Sequence, residues 1–366
     1  MNQILKDKLQ QRKSNDQFRV LKLNDGIVDF SSNDYLGLSR NTELATLIES
    51  EYKTLTTSLG SGGSRLLAGN SFYFEQLEEY LAEIHQSESS LLMNSGYVAN
   101  LAVFSSIPQK GDTVLYDELI HACVKDGMRL SLANHYSFKH NDLESLENKL
   151  KRAVGTVYVA VESVYSMDGD EAPLIEIVKL CKQYGAYLIV DEAHTSGVYG
   201  KHGSGLSCAL GIEKEVFVRI QTFGKGLGCH GACVVASKEV RDFLINFARP
   251  FIYTTAMPLH GLVTIRNAYD YLSTHLNLQA ELRKKITLFR EVVETSIDSV
   301  SAIQVVVVPG NNAVKKKAQS LQKNGFDVRP VMSPTVKEGS ERLRICLHVY
   351  NTEDEIITLG KYLKQP

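Results

Sequence analysis

Four short apolar, β-branched runs punctuate the middle of the chain: Val157–Val161 (VYVAV), Tyr187–Val190 (YLIV), Val216–Ile220 (VFVRI) and Ala232–Ala236 (ACVVA). Unbroken apolar runs of this length suit strands buried on both faces, which points to a parallel or mixed sheet covered by helices. Between the first two runs, PLIEIVKLCKQY (173–184) sets Leu174, Ile177, Val178 and Cys181 at helical spacing, with Gly185 placed as a C-cap. Strand, helix and strand within about 35 residues make a βαβ unit. A second helical pattern, FEQLEEYLAEIH (74–85), leads into the strand-like SSLLMN. Beyond Ala256 the pattern predicts one long helical stretch to about Ser296, then strand, helix, strand and helix. The expected architecture is α/β, with a mostly parallel central sheet in a large domain (36–255) and a smaller α+β C-terminal domain (256–366). Residues 1–35 are expected to pack with the small domain.

Length supports this division, because 366 residues exceed the roughly 250–300 at which one core stops growing. Forty basic and 42 acidic side chains leave a net charge of −2, so no electrostatic footprint for nucleic acid or anionic membrane is present. No apolar run approaches the roughly 18 residues of a membrane span, and the charged start MNQILKDKLQQRKSNDQFRV has no signal-peptide apolar core. Six cysteines, at 123, 181, 208, 229, 233 and 346, form no CxxC pair. They read as reduced thiols, and the expected location is the cytoplasm.

Open α/β sheets bind ligands beyond the carboxyl ends of their strands, so the residues following each strand carry the chemistry. SSLLM is followed by Asn94, Ser95, Gly96 and Tyr97; VYVAV by Glu162, Ser163 and SMDGD; YLIV by Asp191, Glu192, Ala193 and His194; VFVRI by QTFGKG. A helix-opening Ser-Gly-Tyr, a carboxylate, an imidazole, a hydroxyl and a glycine-flanked lysine suit a cofactor with a phosphate, a basic ring nitrogen and an aldehyde. Pyridoxal phosphate has all three. Lys225 would capture the aldehyde, with Gly224 and Gly226 leaving room. Asp191 would keep the ring nitrogen protonated, and His121 in LIHACV is a candidate for stacking on the ring. The amides of Gly96 and Tyr97, with Thr222, would bind phosphate.

Singly, each of these residues has a plainer reading. Lys225 alone is a solvated lysine, Asp191 a turn cap, His121 and His194 local hydrogen-bonders. Their order, each after its own strand, carries the functional reading. Gly226–Gly231 (GLGCHG) matches G-x-G-x-x-G literally, but a strand follows it where a pyrophosphate site needs a helix. Gly60–Gly63 lacks a preceding apolar strand. No GxxxxGK[ST], HExxH or GxSxG occurs, His194 and His202 are too far apart for a helical metal pair, and no metal is expected.

The strings DFSSNDYLGL (29–38), GSGGSRLLAGN (60–70), ESVYSMDGDEAPL (162–174), VDEAHTSGVYGKHG (190–203), TFGKGLGCHGA (222–232), ARPFIYTTAMP (248–258) and ERLRICL (341–347) resemble the α-oxoamine synthase family. The resemblance spans nearly the whole chain. It implies fold type I, the aspartate aminotransferase-like fold of pyridoxal-phosphate transferases, and the condensation of an amino acid with an acyl thioester with release of carbon dioxide. It further implies Lys225 as the cofactor lysine and proton carrier, Asp191 at the pyridine nitrogen and His121 on the ring. Ser166 and His194 would meet the phenolic oxygen, and Ser95, Gly96, Tyr97 and Thr222 would surround the phosphate. A homodimer with shared active sites is implied, Thr254 and Thr255 reaching the partner's phosphate. Arg344, with Arg342 behind it, would hold the amino-acid carboxylate, Asn33 would face substrate, and Arg19 would meet the far end of the acyl chain. Phe74 and Asn351 stand where the family has histidine, and Cys229 and His230 where small residues are commoner. The other readings are a different acyl partner within the family, an aminotransferase on the same fold, and a binding protein that kept the fold.

Overall fold

Residues 2–15, 17–21, 26–55 and 59–365 are described by the structure, a computed structural model. The chain divides into two units, Asp34–Tyr165 with Glu171–Ala280, and Met1–Asn33 with Ser166–Asp170 and Glu281–Pro366. After a two-residue strand β1 (Val28–Asp29) of the smaller unit, seven strands build the sheet of the larger one. They are β2 (Ser89–Met93), β3 (Thr113–Asp117), β4 (Asn134–Phe138), β5 (Val157–Glu162), β6 (Tyr187–Asp191), β7 (Val218–Thr222) and β8 (Ala232–Ala236), in the order β2-β8-β7-β6-β5-β3-β4. β8 runs opposite to the other six strands of this sheet, pairing antiparallel with both β2 and β7.

Alternate residues of the central strands feed two cores. Tyr158, Ala160 and Ile189 join one, with Ala99, Val103 and Phe104 of the helix Gly96–Ser106. Val159, Val161, Leu188 and Val190 join the other, with Leu174, Ile177, Val178 and Cys181 of the helix Leu174–Tyr184. Both faces are dry, which explains the unbroken apolar runs. Gly185 ends that helix at φ +64°, the left-handed conformation a C-cap requires. Register aligns the carboxyl ends: Asp191 stands opposite Glu162 and Ile220, and Ala232 opposite both Thr222 and Met93.

Three expectations change. The run expected from Val216 becomes a strand only at Val218. The long C-terminal helical stretch is two helices, Leu259–Thr274 and Asn277–Val292, parted where His275 leaves helical geometry at ψ 57°. The helix Leu259–Thr274 packs on the helix Thr42–Leu55 and belongs to the larger unit, so the division falls after Ala280 rather than at 255. In the smaller unit, β9 (Ile303–Val307), β11 (Arg329–Val331) and β12 (Arg342–Cys346) form an antiparallel sheet in the order β11-β12-β9, and β10 (Phe326–Asp327) pairs in parallel with β1. A reciprocal capping box between Thr352 and Glu355 starts the last helix, Glu353–Lys364. Among the described residues no helix is long and apolar enough to cross a membrane.

His85, fully buried in the larger unit, meets the Ser204 carbonyl at 3.0 Å and the Tyr269 hydroxyl at 2.9 Å. Burial pushes its pKa down to about 3, against the opposing pull of the Ser204 carbonyl. A folded-state pKa below the unfolded one gives stability that is complete above about pH 6.5 and lost as pH falls towards the folded value. Urea unfolding should therefore show a wild-type stability slope exceeding that of His85→Gln by up to about 1.4 kcal/mol per pH unit between pH 6 and 4. Equal slopes would show that His85 titrates normally in the fold.

Candidate active site

The amino end of the helix Gly96–Ser106 follows β2, and Ser95 caps it by accepting from the Val98 amide at 3.2 Å. The amides of Gly96 and Tyr97, first in the helix, have no intrahelical acceptor. Opposite stands Thr222, the last residue of β7, whose Oγ1 is buried with no hydrogen-bond partner. A Cβ on Gly96 would collide with that oxygen, so only glycine leaves the cradle open. The Tyr97 side chain is turned to Asp126, whose hydrogen bond raises its phenol pKa.

Asp191 ends β6 at 6% exposure; its two carboxylate oxygens accept from Asn100 Nδ2 at 2.7 Å and from the Ala193 amide at 2.9 Å. Three residues on, His194 lies buried with Nε2 2.7 Å from Lys225 Nζ and Nδ1 2.7 Å from the Tyr35 hydroxyl. Lys225 sits in the turn between β7 and β8, and Gly228 of that turn, at φ +62°, packs against the Ser39 amide where a Cβ would clash. Strand β8 then follows at once, so the G-x-G-x-x-G string opens no helix. His121 caps the helix Ala122–Leu130, Nδ1 accepting from the Cys123 amide at 3.3 Å. Its imidazole pKa is lowered, first by desolvation of the ring and then by Lys225, with Asp191 opposing. Asn94 donates to Thr254 Oγ1 at 3.0 Å and to the Thr255 carbonyl at 2.9 Å, tying that pair to the segment that opens the cradle.

In the smaller unit a second group gathers around β12. Arg344 donates from Nε to the Ser166 carbonyl at 2.6 Å, from one terminal nitrogen to Asn33 Oδ1 at 2.9 Å and from the other to Cys346 Sγ at 2.8 Å. These three acceptors are neutral. Arg342 is ion-paired with buried Asp168. Arg19 lies exposed in the irregular segment after the helix Gln3–Ser14. Asn351 is structural: its Oδ1 accepts from the His348 amide at 2.9 Å and its Nδ2 donates to the Asp29 carbonyl at 3.1 Å. Phe74 is likewise buried, under the Arg65 guanidinium 4.3 Å from its ring centroid. Cys229 has its thiol pushed up to about 12 by burial, and His230 is exposed. The sequence reading missed Tyr35 and Asn100. A lone amide in the apolar helix YVANLAVF was the available signal for Asn100.

These residues fit pyridoxal phosphate on three independent grounds. An orphaned buried hydroxyl faces two helix-opening amides across a glycine, a buried carboxylate is held by neutral donors, and a lysine amine stands among glycines.

The description "aminotransferase class I and II" matches residues 25–358, and the chain belongs to that family, in its α-oxoamine synthase branch; it is a pyridoxal-phosphate enzyme. It is 43% identical over 356 residues to the 8-amino-7-oxononanoate synthase of Emericella nidulans, covering 90% of this chain and 86% of the relative. A putative 8-amino-7-oxononanoate synthase of Bacillus licheniformis is 36% identical, covering 94% and 92% of the two chains. Among solved structures, 8-amino-7-oxononanoate synthase from Francisella tularensis superposes with a TM-score of 0.80 at 29% identity, covering 93% of this chain and 97% of that one. A serine palmitoyltransferase from Sphingomonas wittichii superposes at 0.88 with 25% identity, covering 99% and 96%. The fold is that of fold-type-I transferases, with a mostly parallel central sheet.

Proposed function

We propose that the chain condenses L-alanine with a pimeloyl thioester, releasing the thiol and carbon dioxide and forming 8-amino-7-oxononanoate for biotin synthesis. The supporting observation is 43% identity to a protein of that name across 90% of the chain, joined to a lysine, carboxylate and phosphate cradle that suit the cofactor. When bound, the cofactor supplies a carbon that captures the amino acid's nitrogen and a ring that accepts electron density from its α-carbon.

The chain's own residues do the rest. Lys225 Nζ takes the α-proton and later returns one to the same carbon, after the acyl group has joined with loss of the thiol and the carboxylate has left as carbon dioxide. With the cofactor bound, Asp191 would hold a proton on the ring nitrogen, His121 would stack on the ring, Ser166 and His194 would serve its phenolic oxygen, and Ser95, Gly96, Tyr97 and Thr222 would hold the phosphate. Arg344 and Asn33 hold the alanine carboxylate, and Arg19 meets the far carboxylate of the acyl chain. The enzyme works as a cytoplasmic homodimer in which Thr254 and Thr255 reach the partner's phosphate. Largely exposed Leu67, Phe72, Leu132 and Tyr253 in the larger unit suit such an interface.

The test is absorbance of the purified protein titrated with L-alanine, glycine and L-serine, then product and carbon dioxide with pimeloyl thioester. Tight response to alanine with turnover on pimeloyl thioester is expected. Preference for serine and a long acyl thioester would instead support the activity named by the serine palmitoyltransferase relatives.

A further inference from the structure

Tyr35 is 1% exposed, and one imidazole joins its phenol to the lysine amine: His194 lies 2.7 Å from the Tyr35 hydroxyl through Nδ1 and 2.7 Å from Lys225 Nζ through Nε2. A neutral imidazole carries its proton on one nitrogen, so the bond at Nδ1 decides what Nε2 can offer. We propose that Tyr35 is a positioning residue: its hydroxyl donates to His194 Nδ1, holds the ring in the Nε2–H tautomer, and so favours the neutral, basic form of the Lys225 amine. This deepens the reading of Lys225 as the proton-carrying group and rests on it.

The chemistry is one of matched donors and acceptors. A lysine amine offers its lone pair to Nε2–H, whereas an ammonium would aim N–H at N–H. Without the Tyr35 hydroxyl, the imidazole proton can move to Nδ1. Nε2 then accepts from the ammonium, and Lys225 keeps its proton to higher pH. Lys225 shares its surroundings with other titratable groups: with Asp191 at the end of β6 it acts on His121 and Cys123 at the start of their helix, Glu162 at the end of β5 acts on Cys123, and Asp126 and Lys125 act on His121. Asp34, beside Tyr35, is engaged with the Ser39 hydroxyl and amide. The two carboxylates at the strand ends favour the ammonium. The Tyr35–His194 pair opposes them, which a proton carrier working near neutral pH needs.

The test is Tyr35→Phe, which keeps the buried ring. In the holoenzyme, kcat should fall about tenfold at pH 7 and recover above pH 9, with KM changed by less than about twofold. In the cofactor-free protein, His194 imidazole nitrogen shifts, assigned by their loss in His194→Asn, should show Nε2–H in the wild type and Nδ1–H in Tyr35→Phe. A pH-independent fall in kcat, or Nδ1–H already in the wild type, overturns the proposal. Should Tyr35→Phe not fold, 3,5-difluorotyrosine at position 35 keeps ring and hydroxyl while strengthening the donor. The acid limb of kcat should then move to lower pH, and an unmoved limb overturns the proposal. A wild type inactive on alanine and pimeloyl thioester would instead sink the proposed function, and the tautomer measurement would still decide the role of Tyr35.

Discussion

Lys225→Ala is expected to lower turnover by about 10⁴-fold or more while leaving the fold intact. One amine does two jobs in the proposed reaction, and its loss removes both. General acid–base assistance alone contributes up to about 10⁴-fold, so a variant without the amine cannot be rescued by correct positioning of the remaining groups. The side chain is half-buried in a turn between two strands, and its amine bonds His194 at the rim of the site, so truncation disturbs no core. Far-UV circular dichroism and the unfolding midpoint should match the wild type. Carbon dioxide release from alanine with pimeloyl thioester should be undetectable, and binding of alanine to the cofactor-loaded variant should still be measurable by calorimetry. Small exogenous amines should restore a fraction of the rate. Turnover by Lys225→Ala within tenfold of wild type would remove this lysine from the chemistry.

The order of these groups along the chain was legible because each follows its own apolar strand, and strands covered on both faces announce themselves by unbroken β-branched runs. Elements lacking that signature were not. Strand β4, NHYSF, lies at the sheet's edge with four of its five residues exposed, so nothing in its polarity distinguishes it from a loop. The break at His275 is local chemistry: its ring Nδ1 lies 2.8 Å from the Tyr271 carbonyl, and the Thr274 hydroxyl caps the same carbonyl at 2.9 Å. The unit boundary depends on which helix the segment Leu259–Thr274 packs against, a long-range fact that periodicity cannot carry. The site shows the same division. Asp191, His194, Thr222 and Lys225 come in sequence order. Tyr35 and Asn100 reach them from 159 and 91 residues away, a closeness that only folding creates. Asn351 teaches the converse, since a departure from the family pattern in a suspicious place is spent on a buried turn with His348 and Asp29.

Asp191→Asn should separate a functional carboxylate from a structural one, because the two roles predict opposite pairs of results. A buried carboxylate held by two neutral amide donors pays a desolvation penalty that no cation offsets at those bonds. Asparagine removes the charge and keeps the shape. Its Oδ1 can still accept from the Ala193 amide. Its Nδ2 can donate to Asn100 Oδ1, a buried oxygen with no present partner, once the Asn100 amide turns over at the expense of its 3.0 Å bond to the Gly96 carbonyl. The cofactor-free protein should therefore be as stable as wild type, or more so, by thermal unfolding. If the charge serves to hold a proton on the ring nitrogen, kcat should nevertheless fall by about 10²–10³-fold, the cost of removing one preorganised electrostatic partner from a dry site. Asn100→Ala, which leaves the charge but removes a donor, should cost less in kcat than Asp191→Asn. A destabilised Asp191→Asn variant with near-normal turnover would make Asp191 a cap for the turn after β6 and move the ring nitrogen's partner elsewhere.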